Sequence, residues 1–76
     1  MKDETRQKAR EWFRDNALAC IAEMESGAVK VNAPSKYRKQ MEQRAVEAMR
    51  GDYDSSFTFL QRAHYIETGE CIVLLS

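Results

Sequence analysis

Residues 35–51 read SKYRKQMEQRAVEAMRG, the most helix-prone stretch of the chain and the one with a clear electrostatic asymmetry. Ser35, directly after Pro34, is an N-cap candidate, good helix formers fill the middle, and Gly51 stands where a C-terminal stop would use it. At about 100° per residue, Tyr37, Met41, Ala45, Ala48 and Met49 share one side, and Lys36, Lys39, Gln43 and Arg50 share the other. The pattern predicts a helix over about 35–50. Its narrow apolar stripe is the expected platform for the elements on either side.

Toward the N-terminus, residues 3–26 read as a long helix. Asp3 or Thr5 can cap it, and Asp3 and Glu4 suit the positive end of the helix dipole. Ala9, Phe13, Ala17, Cys20 and Met24 recur at helical spacing with Ile21 on one flank, and Trp12, Leu18 and Ala19 widen the stripe. Gly27 ends the helix. Glu23 and Glu25 fall in the last turn, where the dipole disfavours acids, so they are expected to pair with Lys30 or Lys36 once the chain turns back. Between the helices, Val29 and Val31 of AVKVN (28–32) alternate with Ala28 and Lys30, the period of a short half-buried strand, though so short a segment reads equally as an extended linker. Pro34 biases Ala33 away from helical geometry and separates the two helices.

Toward the C-terminus, GDYDSS (51–56) is a turn, with Asp54 or Ser55 placed to cap a third helix over about 55–68. That helix has a broad apolar side: Phe57, Phe59, Leu60, Ala63 and Ile66, with His64 inside the arc. Gly69 supplies its stop. The run CIVLL (71–75) is rich in β-formers and reads as a C-terminal strand, whose pairing partner is either 28–32 or a second copy of the chain. The expected fold is therefore α+β, mostly α, in one small domain spanning 1–76.

Composition narrows the function classes. Seventy-six residues give a single core worth only about 3–5 kcal/mol. Two cysteines are too few for a disulfide-stapled scaffold, so Cys20 and Cys71 are read as free thiols in a reducing, cytoplasmic setting. The charged N-terminus lacks the apolar segment of a signal peptide, and no apolar run approaches a membrane span. Net formal charge is zero but unevenly laid out. Lys and Arg against Asp and Glu number 5 and 6 in residues 1–29, 6 and 2 in 30–50, and 1 and 4 in 51–76.

No constellation of residues carries obvious chemistry. His64, Cys20 and Cys71 match no compact zinc template, and Cys71 beside Glu70 lacks the positive setting a reactive thiolate needs. Asp52 and Asp54 flank Tyr53 without the further ligands of a calcium loop. The three glycines read as helix terminators, not a phosphate cradle, and Arg50-Gly51-Asp52 reads as a helix end followed by an acid. No metal, cofactor or catalytic residue is assigned. A DNA-reading helix–turn–helix over 35–68 is disfavoured, because the second helix offers one arginine and begins beside two aspartates. The pair reads instead as a helical hairpin.

Two functions remain. The first is a non-enzymatic interaction protein, an adaptor, regulator or inhibitor, of a size that suits a phage or plasmid accessory protein. It is expected to bind a protein partner and to form a homodimer through its terminal strand and the surplus apolar surface of its first helix. The second is a nucleic-acid-binding module using the basic face of the central helix. The macromolecule-binding candidates are Lys36, Lys39, Arg44 and Arg50, with Lys30 nearby and Glu47 weakening the patch.

Overall fold

In a computed structural model describing residues 1–72, three helices are connected by irregular segments: α1 (Asp3–Glu25), α2 (Pro34–Arg50) and α3 (Phe57–Thr68). The long N-terminal helix, not the central one, is the platform. Both α2 and α3 pack on α1, and no pair of Cα atoms from α2 and α3 lies within 8 Å. They are therefore not a helical hairpin; each occupies its own part of α1.

The ends of α1 show why it is so long. No side chain caps its start at Lys2. Neither Asp3 nor Thr5 does that work: Asp3 is exposed and Thr5 is buried on the inner face. Instead the Lys2 amide donates to the Glu67 carboxylate (3.3 Å), which ties the end of α3 to the start of α1. At the other end the amides of Gly27 and Ala28 return to the carbonyls of Met24 and Glu23 (3.1 and 3.0 Å). That double closure is a Schellman motif.

The same closure explains why residues 28–32 form no strand. The amides of Ala28 and Val29 are both directed at the Glu23 carbonyl, finishing α1 instead of a ladder. With no neighbouring strand to satisfy the others, the segment stays irregular and largely exposed. Of the expected strand at 71–75, Cys71 and Ile72 have no regular structure, and 73–75 lie outside the described residues. The Ile72 carbonyl accepts from the Gln61 side chain (3.1 Å), so Ile72 lies against α3. Among the described residues the fold is all-α; the α+β expectation is corrected.

Helix α2 begins with Pro34 at its first position, where the missing amide costs nothing, so Ser35 lies inside the helix and does not cap it. Met41, Ala45 and Ala48 are buried and Tyr37 and Met49 half-buried, which is the stripe its periodicity specified. Near its start, Arg38 takes up Glu25 (2.7 Å), the pairing expected of Lys30 or Lys36. Helix α3 is capped by Ser56, not by Asp54 or Ser55: the Ser56 hydroxyl accepts from the Phe59 amide (3.2 Å).

Asp54 is free of that duty because it meets Arg10 of α1. The Arg10 Nε donates to both carboxylate oxygens (3.0 and 3.2 Å), and Arg10 Nη2 and Arg6 add further contacts. The α2–α3 turn is thereby fixed to α1. Beside it, Phe13 stacks on Tyr53 and on Phe59 (centroids 5.9 and 6.0 Å), with Trp12 edge-on at 5.1 Å. Phe59, Ala9 and Ala63 form the innermost cluster.

Candidate interaction surface on the second helix

The exposed flank of α2 carries the basic residues. Lys36 and Lys39 lie near its start on successive turns, Arg44 follows, and all three are exposed. None is ion-paired with a described residue. Arg50 differs from the other candidates. Its guanidinium holds Asp52 (Nη2 2.6 Å, Nε 3.1 Å), and that bond keeps the Asp52 carboxyl below its ordinary range. Arg50 therefore closes the helix end and leaves Lys36, Lys39 and Arg44 as the available cations.

Glu47 sits within the same flank and is also engaged. It accepts from the Tyr53 hydroxyl and from the Gln43 amide (3.1 Å). These two bonds, the tyrosine's first, hold its carboxyl below the ordinary range, and the same hydrogen bond, with burial, raises the Tyr53 hydroxyl in return. The Glu47 carboxylate is thus held by Tyr53 and Gln43, in the same depression as Lys36 and Lys39.

Between α1 and α2 this flank opens into a cleft of about 310 Å³. Its floor is Phe13, Ala17, Cys20 and Met41; Asn16, Arg44 and Tyr53 stand at its rim. Arg44 and Tyr53 also belong to the shallower depression that runs out along Lys36, Lys39, Gln40 and Gln43, so cleft and basic flank are continuous. The small side chain of Ala17 on α1, lining the cleft beside Met41 of α2, leaves its edge unfilled. The Tyr37 hydroxyl is raised above its ordinary range, chiefly by its interaction with the Cys20 side chain and then by burial. The Asn16 side chain is fixed by donating to the Trp12 carbonyl (2.7 Å).

Sequence reasoning placed the lysines on this surface but missed Tyr53 and Asn16. Tyr53 lies in a turn whose flanking aspartates drew the attention, and no periodicity marks its return to Glu47. Elsewhere, Arg62, the single basic residue of α3, is stacked over Trp12 (4.1 Å) and Tyr65 (5.2 Å). It is occupied within the molecule and gives α3 no free cation for a phosphate.

The sulfur and imidazole groups are dispersed. Cys20 lines the α1–α2 cleft, whereas Cys71 is exposed beside Trp12 and Tyr65. Among the described residues no group of three His, Cys, Asp or Glu side chains gathers as a metal site. No helix among them is long and apolar enough to cross a membrane. No protein-family model matches the chain, and no curated protein or solved structure matches it.

Proposed function

We propose that this chain is a non-enzymatic interaction protein, an adaptor, regulator or inhibitor, that holds an acidic segment of another protein on the α2 flank. The observation that carries the reading is the junction of an apolar floor (Phe13, Ala17, Cys20, Met41) with three cations that form no ion pair with a described residue. An apolar anchor fills the floor and offsets desolvation, while Lys36, Lys39 and Arg44 select acidic neighbours and speed encounter. The charges and the apolar surface are complementary to one ligand type, and each alone would be unremarkable.

A photo-crosslinking side chain at Gln40, beside the lysines, tests the reading against the same group at Glu11 on α1. Protein adducts are expected from Gln40 and not from Glu11, and the pair Lys36→Glu and Lys39→Glu should abolish them. Adducts that survive the charge reversal, or that form equally at Glu11, would defeat it.

The same three free cations support a second reading, in which the flank binds nucleic acid. Three phosphate contacts on duplex DNA would give a slope of about −2.7 in log affinity against log salt. A flat salt dependence removes this alternative. The apolar floor, which a phosphate backbone does not use, favours the protein ligand.

A further inference from the structure

The depression along α2 is shaped by two rows of side chains set four residues apart. Lys36, Gln40 and Arg44 form one row, Lys39, Gln43 and Glu47 the next, and all six line the depression. Such rows are ridges with a groove between them, inclined to the helix axis. The charges along this groove are ordered. Lys36 and Lys39 stand at one end, with no acid in the first turn of α2 to answer them. Glutamines fill the middle. Arg44 and Glu47 stand at the other end, where the α1–α2 cleft opens. The unopposed positive charge is therefore at the lysine end, and a ligand anchored in the cleft meets it on one side of its anchor only.

The neutral groups decide the conformation of that ligand. Gln40 makes no hydrogen bond with a described residue, and Gln43 uses one N–H on Glu47 (3.1 Å), which leaves its carbonyl oxygen. Asn16, at the cleft rim, donates to the Trp12 carbonyl (2.7 Å) and has its own carbonyl oxygen unused among the described residues. All three side chains are exposed. A side-chain amide carries the same donor and acceptor as a peptide group. An extended segment has those groups to satisfy, whereas a helix bonds its own. Three such amides between an apolar cleft and a pair of lysines match an open backbone; a docked helix would leave them to water. Spacing then follows. From Arg44 to Lys39 and Lys36 the axis of α2 advances about 7.5 and 12 Å. An extended chain covers that in about two to four residues, a helix in about five to eight.

Resting on the protein-ligand reading of this flank, we propose that the ligand is an extended peptide segment. One apolar side chain enters the cleft, and the adjoining backbone bonds to the amides of Asn16, Gln40 and Gln43. Two carboxylates about two to four residues from the anchor, on one side of it, meet Lys39 and Lys36.

Fluorescence anisotropy on the full chain tests it with synthetic dodecamers, each carrying one Phe and an adjacent Glu pair in an alanine–serine host. The separation of Phe and Glu runs from one residue to eight, on either side of the Phe. Tightest binding is expected at about two to four residues and on one side only. N-methylation of a peptide bond within that stretch should weaken it roughly tenfold. Gln40→Ala or Asn16→Ala should remove much of that penalty, because the blocked bond is already gone. Both positions are exposed, so circular dichroism should show unchanged helix content. An optimum at about seven or eight residues, where a helix returns to the same face, overturns the extended conformation while the acidic-ligand reading stands. A methylation penalty that is the same with and without Gln40 and Asn16 does likewise. Binding that ignores the Glu pair, or that survives Lys36→Glu with Lys39→Glu, overturns both.

Discussion

Replacing Gly51 and Gly27 by alanine separates backbone strain from a tertiary contact within one protein. Both glycines follow a helix in the left-handed region, at φ 92° and 84°. An alanine there costs about 1–2 kcal/mol of strain, against which it returns about 0.4–1 kcal/mol by restricting the unfolded chain. The net loss common to both sites is therefore about 1 kcal/mol, roughly a 1 M fall in urea midpoint for a domain this small. The surroundings differ. At Gly27 nothing lies within 4 Å of an added Cβ. At Gly51 that Cβ would stand 2.6 Å from Arg10 Nη2, 3.0 Å from Arg10 Cζ and 3.2 Å from Asp54 Oδ2. The guanidinium must move away, and its grip on Asp54 goes with it. Gly51→Ala is thus expected to lower the urea midpoint, followed by ellipticity at 222 nm, clearly further than Gly27→Ala does. The excess should vanish in an Arg10→Met background, because the displaced contact is already gone. Equal losses for the two glycines, or an excess that persists without Arg10, would refute the assignment of Arg10–Asp54 as the link between α1 and the α2–α3 turn.

Phe59→Ala removes the one large side chain that is almost wholly enclosed, 1 % exposed, and should cost about 3–5 kcal/mol. That rivals the whole stability of a small single core, so the variant should show little cooperative melting by circular dichroism. Ser56→Ala deletes the α3 cap and should cost about 1 kcal/mol in the same assay. The Tyr53–Glu47 bond makes stability depend on pH at both ends. Glu47 is held below its ordinary 4.5, so its contribution is present above that pH and lost as pH falls through the depressed value. Tyr53 is raised above 10.0, so its contribution is full below that pH and lost as pH rises through the raised value. Tyr53→Phe should flatten both limbs of a urea-midpoint profile; unchanged limbs would count against the bond.

Local signals in the sequence account for most of the helical outline. Periodicity found the buried stripe of α2, and each of the three glycines ends a helix as its position suggested. The strand expected at 28–32 was wrong because alternation over five residues carries no information about a partner. The amides there were claimed by the helix they follow. The choice of platform failed for a related reason. Helix-forming strength is a property of one segment, whereas the packing hub is set by length: only α1 is long enough to receive two helices on separate stretches. The cap at Ser56 in place of Asp54 depended on Arg10, forty-four residues away, and the α1 start depended on Glu67, sixty-five away. Pairings at such separations leave no local trace. For the candidate surface, Lys36, Lys39 and Arg44 were legible as a basic face, but Arg50 was counted with them because its pairing with Asp52 depends on the turn after Gly51.

The open shape follows from the kind of side chain the helices put where they cross. Of the seven apolar residues buried among the described ones, five are alanines: Ala9, Ala17, Ala45, Ala48 and Ala63. Alanines let helices approach closely but bring little area out of water, about one methyl-sized increment each. Met41 and Phe59 supply the bulk, and the half-buried aromatics Phe13, Tyr53 and Trp12 extend it along one side of α1. With α2 and α3 docked on separate stretches of α1, neither of the two covers the other. The radius of gyration, 14.1 Å, accordingly exceeds the roughly 11 Å of a compact domain of this length. A chain with so small an interior leaves apolar side chains at its surface, Leu18, Val46, Phe57 and Leu60 among them. The outer side of α3 and the cleft beside α2 are two such places, and the second, where Arg44 at the rim leads on to Lys36 and Lys39, is the one on which the proposed protein ligand rests.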